Sequence, residues 1–302
     1  MKDKYILTSP IALFVFNRPQ HTRRTVESLT QDKLATGCDL FIFSDGAKTE
    51  IDFAKVAEVR AYLRTITGFR SIHVIERENN FGLANSIVDG VTKMCETFDR
   101  VIVLEDDLIV SRAFLEYMNL ALDQYRTEHK VMQISGNMFP LSNPNVLPPT
   151  FFCCVTTSWG WATWKRAWNK FEPNAQKLAH EIKKRNLCRQ FNIGGNYFQM
   201  LVRQAKGEID SWAIRWYASV FLSGGLCLHP TLSLVTNIGH DGTGTHCNVS
   251  KEYDGYLSAI MPSSFPMLIE ESVEGRKALE MFFRSTQASY LQRLISRAKS
   301  FF

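Results

Sequence analysis

Residues Val101 to Val110 read VIVLEDDLIV, three adjacent carboxylates set between two apolar runs. Carboxylates at the end of a buried segment repel one another and are costly to strip of water. A hard divalent cation, Mg2+ or Mn2+, relieves both problems, and such ions bind through one or two carboxylates plus substrate phosphates. Held by Glu105, Asp106 and Asp107, it could clamp a diphosphate and neutralise a departing nucleotide. The plainer alternative is an acidic turn before a helix, with Ser111 or the acids themselves as caps.

Other residues invite the same double reading. Asn17 and Arg18 follow an apolar run directly, and Pro19 suits a first helical position, so Arg18 can meet a phosphate beside a helix N-terminus or be a surface arginine. Asp45, in Ser-Asp-Gly, can accept hydrogen bonds from a base or ribose, or serve a tight turn. NNFGLANS (Asn79 to Ser86) starts a helix whose exposed amides can bind an anion or sugar hydroxyl, with Asn80 among its side chains, or simply cap it. Trp161, Trp164 and Trp168 stand at the spacing of one helix face and read as core, while Trp159, before Gly160, is the better sugar-stacking candidate. Asp210 precedes a helix, as its N-cap or as a general base, with Glu208 nearby. His240, Asp241 and His246 lie in a glycine-rich loop that reads as a lid able to close over phosphate.

The elements that must position these residues alternate. Apolar runs at Ile11 to Asn17, Leu40 to Gly46, Ser71 to Glu76, Val101 to Glu105 and Val131 to Ser135 read as buried strands. Helical spacing falls between them, at Gln20 to Leu29, Ile51 to Ile66, Phe81 to Phe98 and Ala113 to Tyr125. That βαβαβαβαβ order predicts an α/β fold with a mostly parallel sheet covered by helices on both faces. Ligands of such sheets sit off the carboxyl ends of the strands, where Asn17-Arg18, Asp45, Asn80 and the three acids all fall. Helices follow near Ala175 to Leu187, Asn196 to Ala205 and Trp212 to Leu222, and CLHPTLSLVTNIG returns to strand character.

A net charge of +5 on 302 residues does not argue for nucleic acid. The seven cysteines form no C-x-x-C pair, which excludes a disulfide framework or zinc ribbon and predicts a reducing, cytoplasmic compartment. No apolar run is long enough to span a bilayer. Residues 289–302 carry Leu291, Leu294, Ile295 and Ala298 at helical spacing with Arg293, Arg297 and Lys299 elsewhere. This tail is either a terminal helix packed on the domain or a basic helix on the inner face of the cell membrane.

Taken in order, these features resemble a GT-A nucleotide-sugar glycosyltransferase: strand then Asn-Arg, strand then Ser-Asp-Gly, Asn80-x-Gly82, VLEDDLIVSRAFLEYM, Trp-Gly-Trp, and Asp210 before Trp212. The run from Pro230 through Ser233, Gly239 and Gly242 to His246 completes the series. Within that class the chain most resembles the inverting N-acetylglucosaminyltransferase I family. The resemblance implies a GT-A domain over residues 1–250, with a nucleotide-binding half to about 136 and an acceptor-side half from 137, then a helical tail over 251–302. It implies Asp107 as ligand of Mn2+ or Mg2+. Glu105 and Asp106 would contact ribose, donor sugar or metal-bound water, Asp45 the nucleobase, and Arg18 the nucleotide, with the His246 loop ordering over the donor. That family has two acids directly before the tryptophan, the second its base. Here Ser211 falls at that place, so Asp210 is the expected base, with Glu208 and Asp241 in reserve.

The donor is then a nucleoside diphosphate sugar, with UDP expected, and the acceptor a saccharide, lipid-linked if the tail meets a membrane. The family's eukaryotic members carry an N-terminal anchor; a chain starting at its first strand resembles a bacterial cytoplasmic enzyme of surface polysaccharide synthesis. A sugar-phosphate nucleotidyltransferase is the rival enzyme, but it wants a glycine-rich loop where this chain has Asn-Arg-Pro. A non-catalytic nucleotide-sugar or carbohydrate-binding protein of the same fold is the rival class.

Overall fold

The computed structural model describes residues 7–241 and 255–299, with 288–299 as backbone only. The chain begins with β1 (Ile11–Val15), α1 (Pro19–Thr30), β2 (Asp39–Ser44), α2 (Asp52–Leu63), β3 (Ser71–Glu76), α3 (Leu83–Phe98) and β4 (Arg100–Glu105). A two-residue turn leads into β5 (Leu108–Val110), then α4 (Phe114–Gln124) and β6 (Val131–Ser135). Next come β7 (Thr150–Cys153), β8 (Trp161–Trp164), α5 (Lys165–Trp168), α6 (Ala175–Lys184), α7 (Cys188–Asn192), α8 (Tyr197–Ala205) and α9 (Trp212–Leu222). β9 (Leu226–Pro230), β10 (Val235–Asn237) and α10 (Val273–Lys299) complete the order.

Eight strands form one sheet in the order β3-β2-β1-β4-β8-β6-β9-β7, and β5 pairs with β10 in a separate antiparallel pair. Four of the seven pairings are parallel. β1 is buried along its whole length, as a strand covered on both faces must be. One core packs α1, α2 and α4 on the sheet, a second packs α3, α5 and α9 on the other face, and a third lies among α6 to α10 and β7. The expected α/β architecture with helices on both faces is therefore present.

The chain winds from β1 to β2 and β3 in one direction, then returns to place β4 on the other side of β1. The crevice between the carboxyl ends of β1 and β4 is thus the switch point of the sheet, where ligands of open α/β sheets bind.

One expectation changes. Trp161 and Trp164 lie on strand β8, not on a helix. Their odd separation sends them to opposite faces of the sheet, Trp161 to the α3–α9 core and Trp164 to the α1–α4 core. Both are buried, as is Trp168 on α5. The segment before α10 and the first half of α10 pack on the body: Tyr125 Oη donates to Pro266 O at 2.7 Å, and Leu279, Phe282 and Phe283 enter the third core. The side chains of residues 289–302, on which the two readings of the tail turn, lie outside the described residues.

Candidate active site

Asp106 and Asp107 occupy the turn between β4 and β5, with Glu105 the last residue of β4. They cap no helix. The first turn of α4 is held by Ser111, whose Oγ accepts from Ala113 N, and by Asp32, which accepts from Leu115 N at 2.9 Å. The acids instead face Arg18, the residue before α1, whose first position is Pro19. Arg18 Nη2 donates to Asp106 Oδ1 and, at 3.0 Å, to Asp107 Oδ2. Thr25 Oγ1 donates to Asp106 O at 2.8 Å and pins the turn from below.

Burial strips water from this cluster. It pushes the Glu105 carboxyl up to about 8, helped by Asp107 and Asp106. It also raises Asp106, to about 6, against the opposing pull of Arg18. Burial lowers the Arg18 pKa, but the two aspartates outweigh it and the net direction is up. One guanidinium thus serves three carboxylates, and the Glu105 side chain makes no hydrogen bond or ion pair among the described residues.

The strand pair β5–β10 carries a second chain segment over the acids. Ile238 N donates to Asp107 O at 2.8 Å. A Cβ on Gly239 would stand 2.3 Å from Asp107 Oδ2 and 3.0 Å from Arg18 Nη1, so only glycine permits this approach. His240 meets Trp159 edge-on with ring centroids 5.3 Å apart, and Asp241 Oδ2 lies 3.1 Å from His21 Nε2 on α1. Trp159, half-buried, therefore joins the acid site through His240. His246 lies outside the described residues.

Asn17, Asp45 and Asn80 follow β1, β2 and β3, and of the three Asp45 and Asn80 meet. Asp45 is buried, and its carboxylate accepts from Gly46 N, Phe81 N, Gly82 N and Asn80 Nδ2 at 2.9 to 3.1 Å. Asn80 Nδ2 also donates to Gly46 O at 2.8 Å, and Asn17 Nδ2 to Asp52 Oδ1 at 2.7 Å. The amides ahead of α3 are thus turned on Asp45, which fills the anion position expected there. With its lone pairs taken by the chain, Asp45 shapes this loop and does not present a free carboxylate to a base. Gly46 is packed so tightly on the Glu78–Asn79 backbone that a Cβ would come within 2.6 Å of it.

Asp210 makes no hydrogen bond or ion pair with the three acids among the described residues. Ser211, not Asp210, caps α9, accepting from Ile214 N at 3.3 Å. Asp210 is exposed and pairs with Arg215 Nη2 at 3.4 Å. Trp212 stacks on Trp161 at 5.1 Å, and Trp161 pairs with Val103 of β4, so α9 starts near the same carboxyl edge. Glu208 pairs with Arg203 and Lys206 on the exposed end of α8.

Comparisons with known proteins add the following. No family model and no curated protein matches the chain. Among solved structures it is similar to S. aureus TarS at 14% identity and TM-score 0.31, over 42% of this chain and 21% of that one. TarS 1-349 in complex with UDP matches at 13% identity and TM-score 0.34, over 48% and 39%. The mannosyltransferase PcManGT from Pyrobaculum calidifontis, in complex with GDP-Man and Mn2+, matches at 10% identity and TM-score 0.37, over 74% and 78%. The chain spans about a fifth of the first of these.

That geometry suits a hard cation. The donors are carboxylate oxygens, Glu105 is uncommitted, and Asp107 spends only Oδ2 on Arg18. Among the described residues the tightest grouping of metal-binding types lies elsewhere, at Cys153, Cys154 and Glu271. There Arg276 Nη1 already holds both Glu271 oxygens, at 3.0 and 2.9 Å, and Cys154 N donates to the same carboxylate. The group ties α10 to β7.

His21 was missed from the sequence, although it lies in the first turn of α1, three residues after the N-cap Arg18. Gly239 was noted only as part of the run from Pro230 to His246; its contact with Asp107 had no sequence signal, because that residue is far away in the chain.

Proposed function

We propose that the protein is a nucleotide-sugar glycosyltransferase that transfers a hexosyl or N-acetylhexosaminyl group from a nucleoside diphosphate sugar to a saccharide acceptor. The observation that supports this most is the set of Glu105, Asp106, Asp107 and Arg18 at the switch point of the sheet, an arrangement suited to a diphosphate and its counter-cation. Asp107 would hold Mn2+ or Mg2+ with help from Glu105, and the ion when bound would offset charge on the departing diphosphate. Arg18 binds the phosphates. Asn17, Asp45 and Asn80 hold the loops that bound the nucleotide half, residues 1–136. Trp159 offers its ring to the sugar, and His246 would contact the donor.

Asp210 is the proposed base. In a single displacement the acceptor oxygen attacks from the side opposite the leaving group, which inverts the anomeric carbon. Asp241 sits beside His21 and Gly239, on the leaving-group side, and so is poorly placed to activate the acceptor. Asp210, at the start of α9 on the acceptor-side half, is exposed and can take a proton there. A lipid-linked acceptor of a surface polysaccharide fits the basic residues Arg293, Arg297 and Lys299 of the tail. Among the described residues no helix is long and apolar enough to cross a membrane.

The test is calorimetry of a panel of nucleoside diphosphates, with and without Mn2+, on wild type and Asp107→Ala. One nucleotide should bind in a Mn2+-dependent way and lose at least tenfold in the variant. Binding of none under any condition would reject the reading and leave the acids as a turn on an α/β sheet.

A further inference from the structure

The proposed cation and Arg18 both draw on the Asp107 carboxylate, whose Oδ2 already accepts from Arg18 Nη2. Arg18 Nη2 alone serves both Asp106 Oδ1 and Asp107 Oδ2, so it sits between the two carboxylates. Its other nitrogen, Nη1, is buried and has no hydrogen-bond partner among the described residues. A guanidinium N–H in that condition is rare and marks a place where an anionic oxygen belongs. Gly239 borders both Nη1 and Asp107 Oδ2, so the positions open to an anion and to a cation adjoin.

We infer that Arg18 is a counter-ion relay: it neutralises Asp106 and Asp107 in the unliganded site and passes to the donor diphosphate when a divalent cation takes Asp107, so that cation and nucleotide bind as a pair. The inference rests on the function proposed above. A cation arriving alone draws Asp107 away from Arg18 and leaves a mostly buried guanidinium with Asp106 as its one carboxylate partner. A diphosphate arriving alone meets carboxylates that a single arginine does not offset. Arriving together, each supplies what the other displaces, which is positive coupling between two ligands of one site. Asp106 remains with Arg18 through the exchange, because Phe16 N and Thr25 Oγ1 hold its residue in place.

The test titrates free Mn2+ by electron paramagnetic resonance, with protein alone and with UDP or GDP added, for wild type, Arg18→Gln and Arg18→Lys. Wild type should bind Mn2+ at least tenfold more tightly when the nucleotide is present. Arg18→Gln should bind Mn2+ alone roughly tenfold to hundredfold more tightly than wild type, about 1.4 to 2.8 kcal/mol, while the nucleotide weakens and the coupling collapses. Arg18→Lys, a point charge in place of a fork, should tighten Mn2+ by a smaller factor, about threefold, and serves if the glutamine variant does not fold. Mn2+ affinity that is unchanged or weaker in both folded variants overturns the relay while leaving the glycosyltransferase reading intact. Failure of wild type to bind either nucleotide with Mn2+ removes that reading and the relay with it.

Discussion

Gly239→Ala isolates the contact on which the acid site depends. The backbone there is not in the left-handed region, so alanine adds only a methyl group. That methyl would lie 2.3 Å from Asp107 Oδ2 and 3.0 Å from Asp107 Cγ and Arg18 Nη1. An ordinary carbon–oxygen contact is about 3.3 Å, so something must move by roughly 1 Å. If the carboxylate moves, the 3.0 Å bond from Arg18 breaks; if the loop moves, Ile238 N leaves Asp107 O, now at 2.8 Å. Overpacking of this kind costs about 1 to 3 kcal/mol, which lowers the melting temperature by only a few degrees in a chain of this size. The effect on ligands is larger, because a 1 Å misplacement of a binding group costs roughly a hundredfold. Calorimetry of nucleotide with Mn2+, beside a thermal melt, measures both. Nucleotide binding within twofold of wild type in a folded Gly239→Ala protein would refute the placement of this segment over Asp107.

Asp45→Asn replaces one acceptor oxygen with an NH2 group, which then faces either Gly46 N and Phe81 N or Gly82 N and Asn80 Nδ2; it should cost about 3 kcal/mol in urea unfolding, and a loss under about 0.5 would show that the loop does not depend on this carboxylate. His229 is fully buried, its Nε2 2.9 Å from Val155 O, and burial pushes its pKa down to about 4 from the ordinary 6.5. Its contribution to stability is therefore complete above pH 6.5 and is lost as pH falls from there toward 4, about 3 kcal/mol in all. Urea unfolding at several pH values should show that slope in wild type and not in His229→Gln; equal slopes would refute it. Asp210→Asn should lower kcat by about a hundredfold or more without changing nucleotide affinity, and Glu208→Gln should change neither. Steady-state kinetics with calorimetry would decide, and a fully active Asp210→Asn would remove Asp210 as the base.

The parallel strands were legible in the sequence because burial on both faces demands unbroken apolar runs, as in Ile11–Val15 and in Val101 to Leu104 within β4. The three acids were legible because they are neighbours in the chain and end such a run. The tryptophan strand was not: four residues are too few to separate a period of 2 from one of 3.6, and β8 is defined by its pairing with β4 and β6. The partners of the acids were equally hidden. Arg18 meets Asp106 across 88 residues, and Asp45 meets Phe81 across 36. Sequence alone determined which side chains end the strands, since local polarity and hydrophobic period select the elements. Only the tertiary structure decided that Arg18 stands between the aspartates, that Asp45 is spent on its own loop and that Gly239 lies over Asp107, because those contacts form when distant segments close on one sheet edge.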